Sequence, residues 1–180
     1  MRADARRNRD RLVAVAQEVF AEQGAGASLD DIAKRAGVGP GTLYRHFPTR
    51  EALQEAAYRD AVAELAERGR ALAVELPPGP ALESWIAALV AHIRNHTALA
   101  GALVESMGKQ GEVFVECHRL MHETGAQLVD DARAAGAVRE DVQERDLLWM
   151  AHGVAQSAAG EGGGERVVRL QEVLLRGLRP

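Results

Sequence analysis

The sequence is poor in cysteine and in aromatic residues, and it contains no long apolar run. Cys117 is the only cysteine, which excludes an internal disulfide and suits a reducing compartment. Phe, Trp and Tyr together make up 4% of the chain, whereas alanine is abundant, and this balance favours closely packed helices over sheets. No run reaches the roughly 18 consecutive apolar residues that a membrane-spanning helix needs. We therefore expect a helical protein without a membrane span.

The sequence also lacks the patterns of a secretory signal and of common catalytic or metal sites. The basic N-terminus is not followed by an apolar signal core, since Gln17 and Glu18 interrupt residues 12–19. There is no Cys-x-x-Cys, no His-Glu-x-x-His and no Gly-x-Ser-x-Gly, so nothing supports a hydrolase built on Ser106. These absences predict a cytoplasmic protein that is not an enzyme and uses no cofactor.

Charge is unevenly divided along the chain. The net charge is −4, which by itself argues against a nucleic-acid partner. Residues 1–50, however, hold nine Lys or Arg against six Asp or Glu, a balance of +3, leaving thirteen against twenty, or −7, for residues 51–180. A basic region joined to an acidic remainder is typical of a protein with one nucleic-acid face. Apolar residues make up 47% and charged residues 27%, which predicts a folded core rather than disorder.

A short helix is predicted near the start of segment 28–50. Ser28 can cap it, with Asp31 three residues later, because a Ser side chain accepts from free N–H groups of the first turn. Gly37 ends it, since glycine adopts the left-handed conformation at little cost. The apolar stripe of this helix recurs at helical spacing and consists of Leu29, Ile32, Ala33 and Ala36.

A second short helix follows directly. Gly39 is an acceptable N-cap, Pro40 fits the first helical position, and Pro48 prevents continuation beyond about Phe47. Two short helices joined by a glycine-containing turn form a helix-turn-helix unit, whose second helix enters the major groove of DNA. The side chains of this second helix that can contact phosphates or base edges are Thr42, Tyr44, Arg45 and His46.

This segment resembles the DNA-binding signature of the TetR family of bacterial repressors. The residues that match the spacing of the family are Ile32-Ala33, Ala36-Gly37-Val38, Gly41-Thr42-Leu43-Tyr44, His46-Phe47 and Glu51-x-Leu53, with Val15-Ala16, Phe20 and Gly24 upstream. The resemblance covers roughly residues 10–55 and does not extend into the rest of the chain. Three positions depart from the pattern: Gly39 replaces a common Ser, Arg50 replaces a common Lys, and Asp30 is acidic near where some relatives contact DNA.

The resemblance implies a DNA-binding domain at residues 1–48 and a helical effector-binding and dimerisation domain at residues 49–180. Arg45 is the best candidate for reading guanine. Five arginines lead into a helix predicted at 9–22 and either reach DNA or form a solvated terminus, namely Arg2, Arg6, Arg7, Arg9 and Arg11. The candidate DNA-binding residues are Ser28, Gly39, Pro40, Gly41, Thr42, Tyr44, Arg45, His46 and Arg50, the last holding a phosphate at a helix N-terminus.

The remainder of the chain is also predicted to be helical. Thr49 can cap a helix that ends near residue 73, before the break at 76–80, and this helix is the expected coupler between the two domains. Further helices are predicted at 81–95, 98–107, 112–135, 142–159 and 165–178. Thr97 and Asp141 are the expected caps, and loops are expected at 108–111 and, as a flexible glycine-rich turn, at 160–164. The prediction is an all-α fold of about nine helices.

Apolar stripes with interspersed histidines predict an effector pocket, in agreement with the resemblance. The candidate lining residues are Trp85, Leu89, His92, His96, Leu103, Met107, Phe114, Cys117, His118, Met121 and Trp149. The alternative is that these stripes are plain core. His92 with His96 and His118 with His122 have the i, i+4 spacing that can present two imidazoles to a metal ion, but no metal motif sharpens that alternative and we predict no metal site.

The last two helices carry apolar faces suited to close packing. The residues of these faces are Leu147, Ala151, Val154, Ala155, Ala158, Val167, Leu170, Leu174, Leu175 and Leu178. They either form the four-helix dimer contact that the resemblance implies or pack within one chain. The overall prediction is a homodimeric regulator, a repressor released from a palindromic DNA operator by a small-molecule effector. The alternative is a helical sensor or partner-binding module without sequence-specific DNA binding, which salt-dependent binding to duplex DNA would distinguish.

Overall fold

The computed structural model describes residues 2–108 and 111–180, and it confirms the all-helical fold. These residues form eight helices and no strand. The helices are α1 (Arg2–Gln23), α2 (Leu29–Arg35), α3 (Pro40–His46), α4 (Arg50–Glu75), α5 (Pro78–Met107), α6 (Glu112–Ala134), α7 (Glu144–Gln156) and α8 (Gly163–Gly177). Within this described part of the chain, no helix has both the length and the apolar character needed to cross a membrane.

The chain packs as two compact units. Unit 1 comprises Met1–Ala61 and Asn95–Val115, and unit 2 comprises Val62–Arg94 and Glu116–Pro180. Helices α4, α5 and α6 therefore each contribute residues to both units. The division into domains at residue 48 remains a prediction.

Unit 1 begins with α1, which starts seven residues earlier than the predicted 9–22 helix. The arginine-rich segment is helical because Ala and Arg favour helices and no residue there breaks one. Asp4 pairs with Arg7, and the Asn8 side chain accepts a hydrogen bond from Arg11 at 3.0 Å, both at i, i+3 spacing. The side chain of Arg2 lies outside the described part of the chain.

Helix α5 replaces two predicted helices with one, which is why the structure has eight helices rather than about nine. The predicted cap Thr97 lies inside α5 and does not begin a new helix. The reason is that residues 95–98 contain neither Gly nor Pro, so the backbone ladder continues. The break at 76–80 is real but short: α4 ends at Glu75, and Pro78 is accepted in the first turn of α5. The predicted loop at 108–111 includes residues 109 and 110, which lie outside the described residues.

Helix α7 begins later and ends earlier than predicted, and Asp141 does not cap it. Its N-cap is Gln143, which makes no side-chain capping bond. The Asp141 carboxylate instead accepts a hydrogen bond from Arg139 Nε at 2.9 Å, and this bond lowers the pKa of Asp141. A neighbouring guanidinium therefore outcompetes the free N–H groups of the helix for this carboxylate.

The core of unit 2 is built around Trp85, which is 1% exposed. Two glycines make room for its ring. A Cβ on Gly69 would lie 2.9 Å from Trp85 Cδ1, and a Cβ on Gly125 would lie 2.8 Å from Trp85 Cη2. Leu89 and Leu128 are buried in the same cluster, and Met121 packs against it. Gly125 thus makes room for an indole side chain, and α6 continues through it.

The small-residue face of α7 packs within the chain. Leu147, Ala151, Val154 and Ala155 are buried in the core of unit 2, together with Val167 and Leu174 of α8. Of the two alternatives for these apolar faces, these six residues therefore follow the second: they pack within one chain. The turn before α8 is held by Arg166, whose guanidinium donates to the carbonyl oxygens of Ser157, Ala159 and Glu161. The glycine-rich turn is consequently anchored in the structure rather than free.

A different face of α7 and α8 is apolar and exposed. Trp149 is 72% exposed, and Val173 is 67% exposed. The other large apolar residues exposed on these two helices are Met150, Val168 and Leu170. We call Trp149, Met150, Leu170 and Val173 the α7–α8 apolar face; Val168 is not part of it, because the helical repeat places it about 160° from Leu170 around α8. Exposed apolar side chains in this number make α7 and α8 a candidate contact surface.

Candidate nucleic-acid interface

Helix α2 begins and ends as its sequence predicts. The Ser28 hydroxyl accepts a hydrogen bond from the Asp31 amide at 3.4 Å, which caps the first turn. At the other end Gly37 has φ +67°, and the amides of Gly37 and Val38 donate to the carbonyl oxygens of Lys34 and Ala33. This pair of bonds satisfies the last carbonyl groups and turns the chain sharply toward α3.

Helix α3 is fixed by its two ends and by two buried side chains. Gly39 is the extended N-cap, and the Phe47 amide closes the last turn by donating to the Leu43 carbonyl at 2.8 Å. Leu43 is 1% exposed and Phe47 is 3% exposed, and α3 packs on α1 and α2. Each such burial contributes about 1.5–3 kcal/mol, enough to hold so short a helix in one orientation.

The outward face of α3 follows from that anchoring. With Leu43 and Phe47 turned inward, the helical repeat directs Gly41, Tyr44 and Arg45 outward. Tyr44 is 49% exposed and Arg45 is exposed, while Thr42 and His46 are half-buried at the flanks. Gly39, Pro40 and Gly41 are exposed and carry no hydrogen-bonding side chain. The polar groups available on this surface are one guanidinium, two hydroxyls and one imidazole.

Two arginines near this surface have local partners. The Arg9 guanidinium lies 5.4 Å from the centroid of the Phe47 ring, a cation–π contact that covers the end of α3. Arg35, at the end of α2, donates to Glu22 of α1 at 2.8 Å. Asp30 is exposed on α2. The positive charge around α3 is therefore partly offset by the carboxylates of Glu22 and Asp30, and Arg45 is the exposed arginine of α3 itself.

Arg50 has a role in the structure that the sequence did not suggest. Its Nη1 atom donates to the carbonyl oxygens of Ala25 at 3.2 Å and Ala27 at 2.6 Å. Thr49 caps α4 as predicted, since its hydroxyl accepts from the Ala52 amide at 3.1 Å. The guanidinium is thus turned to the loop between α1 and α2, and the phosphate contact predicted for Arg50 remains untested.

The predicted effector-lining residues are distributed over both units. In unit 1, Leu103 is buried, Phe114 packs against Tyr58 with ring centroids 5.6 Å apart, His96 is half-buried and Met107 is 38% exposed. In unit 2, the structure brings Trp85, Leu89 and Met121 into one core cluster, and it buries His92 and Cys117. Trp149 does not join them, because it lies on the α7–α8 apolar face.

The histidines of α6 differ in their surroundings. Burial lowers the pKa of His118, and the neighbouring His122 lowers it further. His122 Nδ1 lies 2.7 Å from Glu144 Oε1. In residues 2–108 and 111–180, no group of three or more His, Cys, Asp or Glu is placed to hold a metal ion.

An open groove of about 480 Å³ lies in unit 2. Its lining consists of Ala73, Pro78, Ala81, Leu128, Asp131, Ala134 and Ala135, and it includes none of the predicted effector residues. Within the described chain, the indole Nε1 of Trp85 is buried without a hydrogen-bond partner. A buried donor of this kind is costly unless something supplies an acceptor.

Comparison with known proteins agrees with the helix-turn-helix geometry. A family model described as "Bacterial regulatory proteins, tetR family" matches residues 12–57. A second, described as "Transcriptional regulator SbtR-like, C-terminal domain", matches residues 77–180, more than half of the chain. The chain belongs to the TetR family of bacterial transcriptional regulators. The predicted family and the predicted absence of enzymatic function are confirmed, because this is a family of regulators.

Individual TetR-family relatives resemble the chain over nearly its whole length. A TetR transcriptional regulator from Streptomyces coelicolor is 39% identical, with a TM-score of 0.84 over 96% of this chain and 98% of that one. A TetR regulatory protein from Mycobacterium vanbaalenii is 36% identical, with a TM-score of 0.76 and 99% of each chain covered. The transcriptional regulator UidR of Escherichia coli is 28% identical over 89% of this chain and 86% of its own.

Sequence reasoning missed one polar side chain beside the interface. Gln54 is 3% exposed, and its Nε2 donates to the Ala25 carbonyl at 2.9 Å. A signal was present, since Gln54 shares the helical spacing of the buried residues Tyr58 and Ala61. A glutamine among buried apolar positions needs a hydrogen-bond partner, which could have directed attention to the loop.

Proposed function

We propose that the protein is a homodimeric transcriptional repressor that binds a palindromic DNA operator and is released by a small-molecule effector. The observation that carries the proposal is the outward face of α3, where Arg45 and Tyr44 are exposed while Leu43 and Phe47 are buried. A guanidinium so presented can donate to O6 and N7 of guanine, and Tyr44, Thr42 and His46 can bind phosphates or bases. Residues 1–48 serve as the DNA-binding domain, and residues 49–180 as the effector-binding and dimerisation domain.

Dimerisation is supported by the α7–α8 apolar face. One α3 contacts too few base pairs for specific binding, whereas two related by a two-fold axis read both halves of a palindrome. An exposed tryptophan flanked by aliphatic residues has the composition of the centre of a subunit contact. Apart from Leu170, which belongs to both, the face differs from the stripes predicted by sequence, because most of those stripe residues are buried in the core of unit 2.

Release by an effector is supported by the unsatisfied indole N–H of Trp85. An effector that enters unit 2 and carries a hydrogen-bond acceptor would satisfy this donor, and the apolar residues around it would bind its hydrocarbon part. Effector binding that favours one conformation of residues 49–180 would lower the affinity for the operator. By reciprocity, the operator would lower the affinity for the effector by the same factor. A repressor of this kind acts in the cytoplasm.

The test is selection of DNA from a randomised duplex library by the purified protein, followed by anisotropy measurements on the enriched duplex. We expect an inverted repeat whose half-sites lie about one helical turn apart. We also expect affinity to fall by about 10³–10⁵ between about 50 and 200 mM salt if roughly 6–10 phosphates are contacted. Enrichment of no sequence, with shallow salt dependence, would contradict the proposal and favour a sensor module that does not read DNA.

The effector half of the proposal needs its own measurement. The chain has two tryptophans, so the Trp149→Phe variant leaves Trp85 as the only indole fluorophore. Compounds that release the variant from DNA should shift Trp85 emission at the same concentration. Release without any change in Trp85 emission would argue that the effector binds elsewhere.

A further inference from the structure

The loop between α1 and α2 is clasped by two side chains from the first turns of α4. Arg50 Nη1 donates to the carbonyl oxygens of Ala25 and Ala27, at 3.2 and 2.6 Å. Gln54 Nε2 donates to the Ala25 carbonyl at 2.9 Å. The Ala27 amide in turn donates to Gly24 at 3.1 Å, which closes the loop on itself. We call Arg50 and Gln54 the α4 clasp.

This loop determines where the helix-turn-helix unit starts. Ser28, the N-cap of α2, follows Ala27 directly, and α2 packs on α3. Ala27 is 6% exposed, so its backbone has few other partners in water. Three hydrogen bonds from α4 to two carbonyl groups of this loop therefore fix the entry of α2, and through α2 the orientation of α3.

We propose that Arg50 and Gln54 are positioning residues for DNA binding, and that Arg50 does not act as a phosphate contact. The inference rests on the proposed DNA-binding function and deepens it. Arg50 stands where the family commonly has Lys, at the N-terminus of α4, but its guanidinium is engaged by backbone carbonyl groups. Gln54 is 3% exposed and uncharged, so it acts on DNA only through the loop.

Salt dependence separates positioning from phosphate contact. Each phosphate contact contributes about 0.9 to the slope of log affinity against log salt, so loss of one contact per subunit would reduce a dimer's slope by about 1.8. Loss of a positioning residue lowers affinity at every salt concentration and leaves the slope unchanged. The two roles thus predict different readouts for the same substitution.

The experiment measures binding of the library-enriched duplex by the wild type and by Arg50→Ala, Arg50→Lys and Gln54→Met. Methionine keeps the volume of Gln54 and removes its donor. We expect Arg50→Ala and Gln54→Met to bind at least about tenfold more weakly with the wild-type slope, because hydrogen bonds to the loop are lost. Arg70→Ala, on the exposed side of α4 where Arg70 pairs with Glu67, is the charge-matched control and should bind like the wild type.

A slope reduced by about 1.8 in Arg50→Ala would overturn the proposal. Wild-type affinity in Gln54→Met would overturn it as well. If Arg50→Ala fails to fold, Arg50→Lys decides: weaker binding at the wild-type slope supports positioning, and wild-type binding contradicts it, because lysine keeps the charge and loses the guanidinium geometry.

A second readout does not depend on DNA. Amide hydrogen exchange of Ala27 should be at least about tenfold faster in free Arg50→Ala or Arg50→Lys than in the wild type, since the loop opens more often without the clasp. Unchanged exchange would overturn the positioning role. If the wild type itself shows no salt-dependent DNA binding, the proposed function fails, and this exchange measurement still decides whether the clasp holds the loop.

Discussion

The exposed face of α3 and the α7–α8 apolar face are both surfaces without a partner in the isolated chain, and they differ in chemistry. On α3 the exposed groups are a guanidinium, a phenol and glycine backbone, held by two buried apolar anchors. On the α7–α8 apolar face the exposed groups are Trp149, Met150 and two aliphatic side chains, Leu170 and Val173. The first surface offers hydrogen-bond donors and positive charge, and the second offers apolar area.

The difference indicates what each surface binds. Polar groups on a short, well-anchored helix gain most from a charged and hydrogen-bonding partner such as DNA. Exposed apolar side chains gain from exclusion of water, and a second copy of the same face supplies this on both sides. Under the proposed function, one chain divides two kinds of recognition between two sets of helices, and substitutions can remove each one separately.

The largest effect is expected from charge on the α7–α8 apolar face. Trp149→Asp or Val173→Asp should raise the dissociation constant of the proposed dimer by at least about a hundredfold, because the carboxylate would be buried without a partner. Sedimentation velocity measures the change directly. Val74→Asp is the matched control, since Val74 is 89% exposed on α4 and should leave assembly unchanged. A dimer that persists in both α7–α8 variants would show that another surface joins the subunits.

A smaller effect is expected from the α3 surface. Arg45→Ala should weaken operator binding by about 1–3 kcal/mol at each half-site and relax one base position, because the contact with guanine is lost. Anisotropy with the enriched duplex and its single-base variants measures both effects. Arg35→Ala, which removes an exposed guanidinium paired with Glu22 at 2.8 Å, is the control. If Arg45→Ala left affinity unchanged, Arg45 would not be a base contact.

The core that supports the α7–α8 apolar face can be tested at Gly69. Gly69→Ala would place a Cβ 2.5 Å from Thr124 Cγ2 and 2.9 Å from Trp85 Cδ1, and it should destabilise the fold by about 1–3 kcal/mol through overpacking. Gly101→Ala in α5 is the matched control, because a Cβ there meets nothing within 4 Å and should stabilise the helix by about 0.4–1 kcal/mol. Denaturant unfolding gives both values. Equal stability in the two variants would mean that Thr124 and Trp85 are loosely packed around Gly69.

The smallest effect concerns His118. Because its pKa is lowered in the folded protein, the unfolded chain binds more protons as pH falls through the ordinary value of 6.5. Stability from this residue is therefore complete above that value and declines below it. His118→Gln should flatten the decline in melting temperature from about pH 8 to about pH 5. Identical profiles for His118→Gln and the wild type would contradict this assignment.

Helix boundaries could be predicted from the sequence wherever a particular residue type is needed for a particular backbone conformation. Ser28, Gly37, Gly39 and Pro40 placed the boundaries of α2 and α3, because caps and positive φ angles are decided by neighbours in sequence. The family signature lies in the same segment, so family and helix-turn-helix could both be predicted. Signals were weaker where a cap competes with a charged partner, as at Asp141, or where helix formers allow a helix to continue past Thr97.

The sequence by itself determined the helical fold, the two short helices and the family, because periodicity, caps and motif spacing are properties of consecutive residues. The tertiary structure alone decided which apolar faces are core and which are exposed. An apolar stripe on α7 has the same sequence pattern whether it packs within the chain or faces water. It also turned Arg50 toward backbone carbonyl groups 23 and 25 residues away, at distances of 2.6 and 3.2 Å. Such contacts depend on how helices far apart in sequence pack against each other.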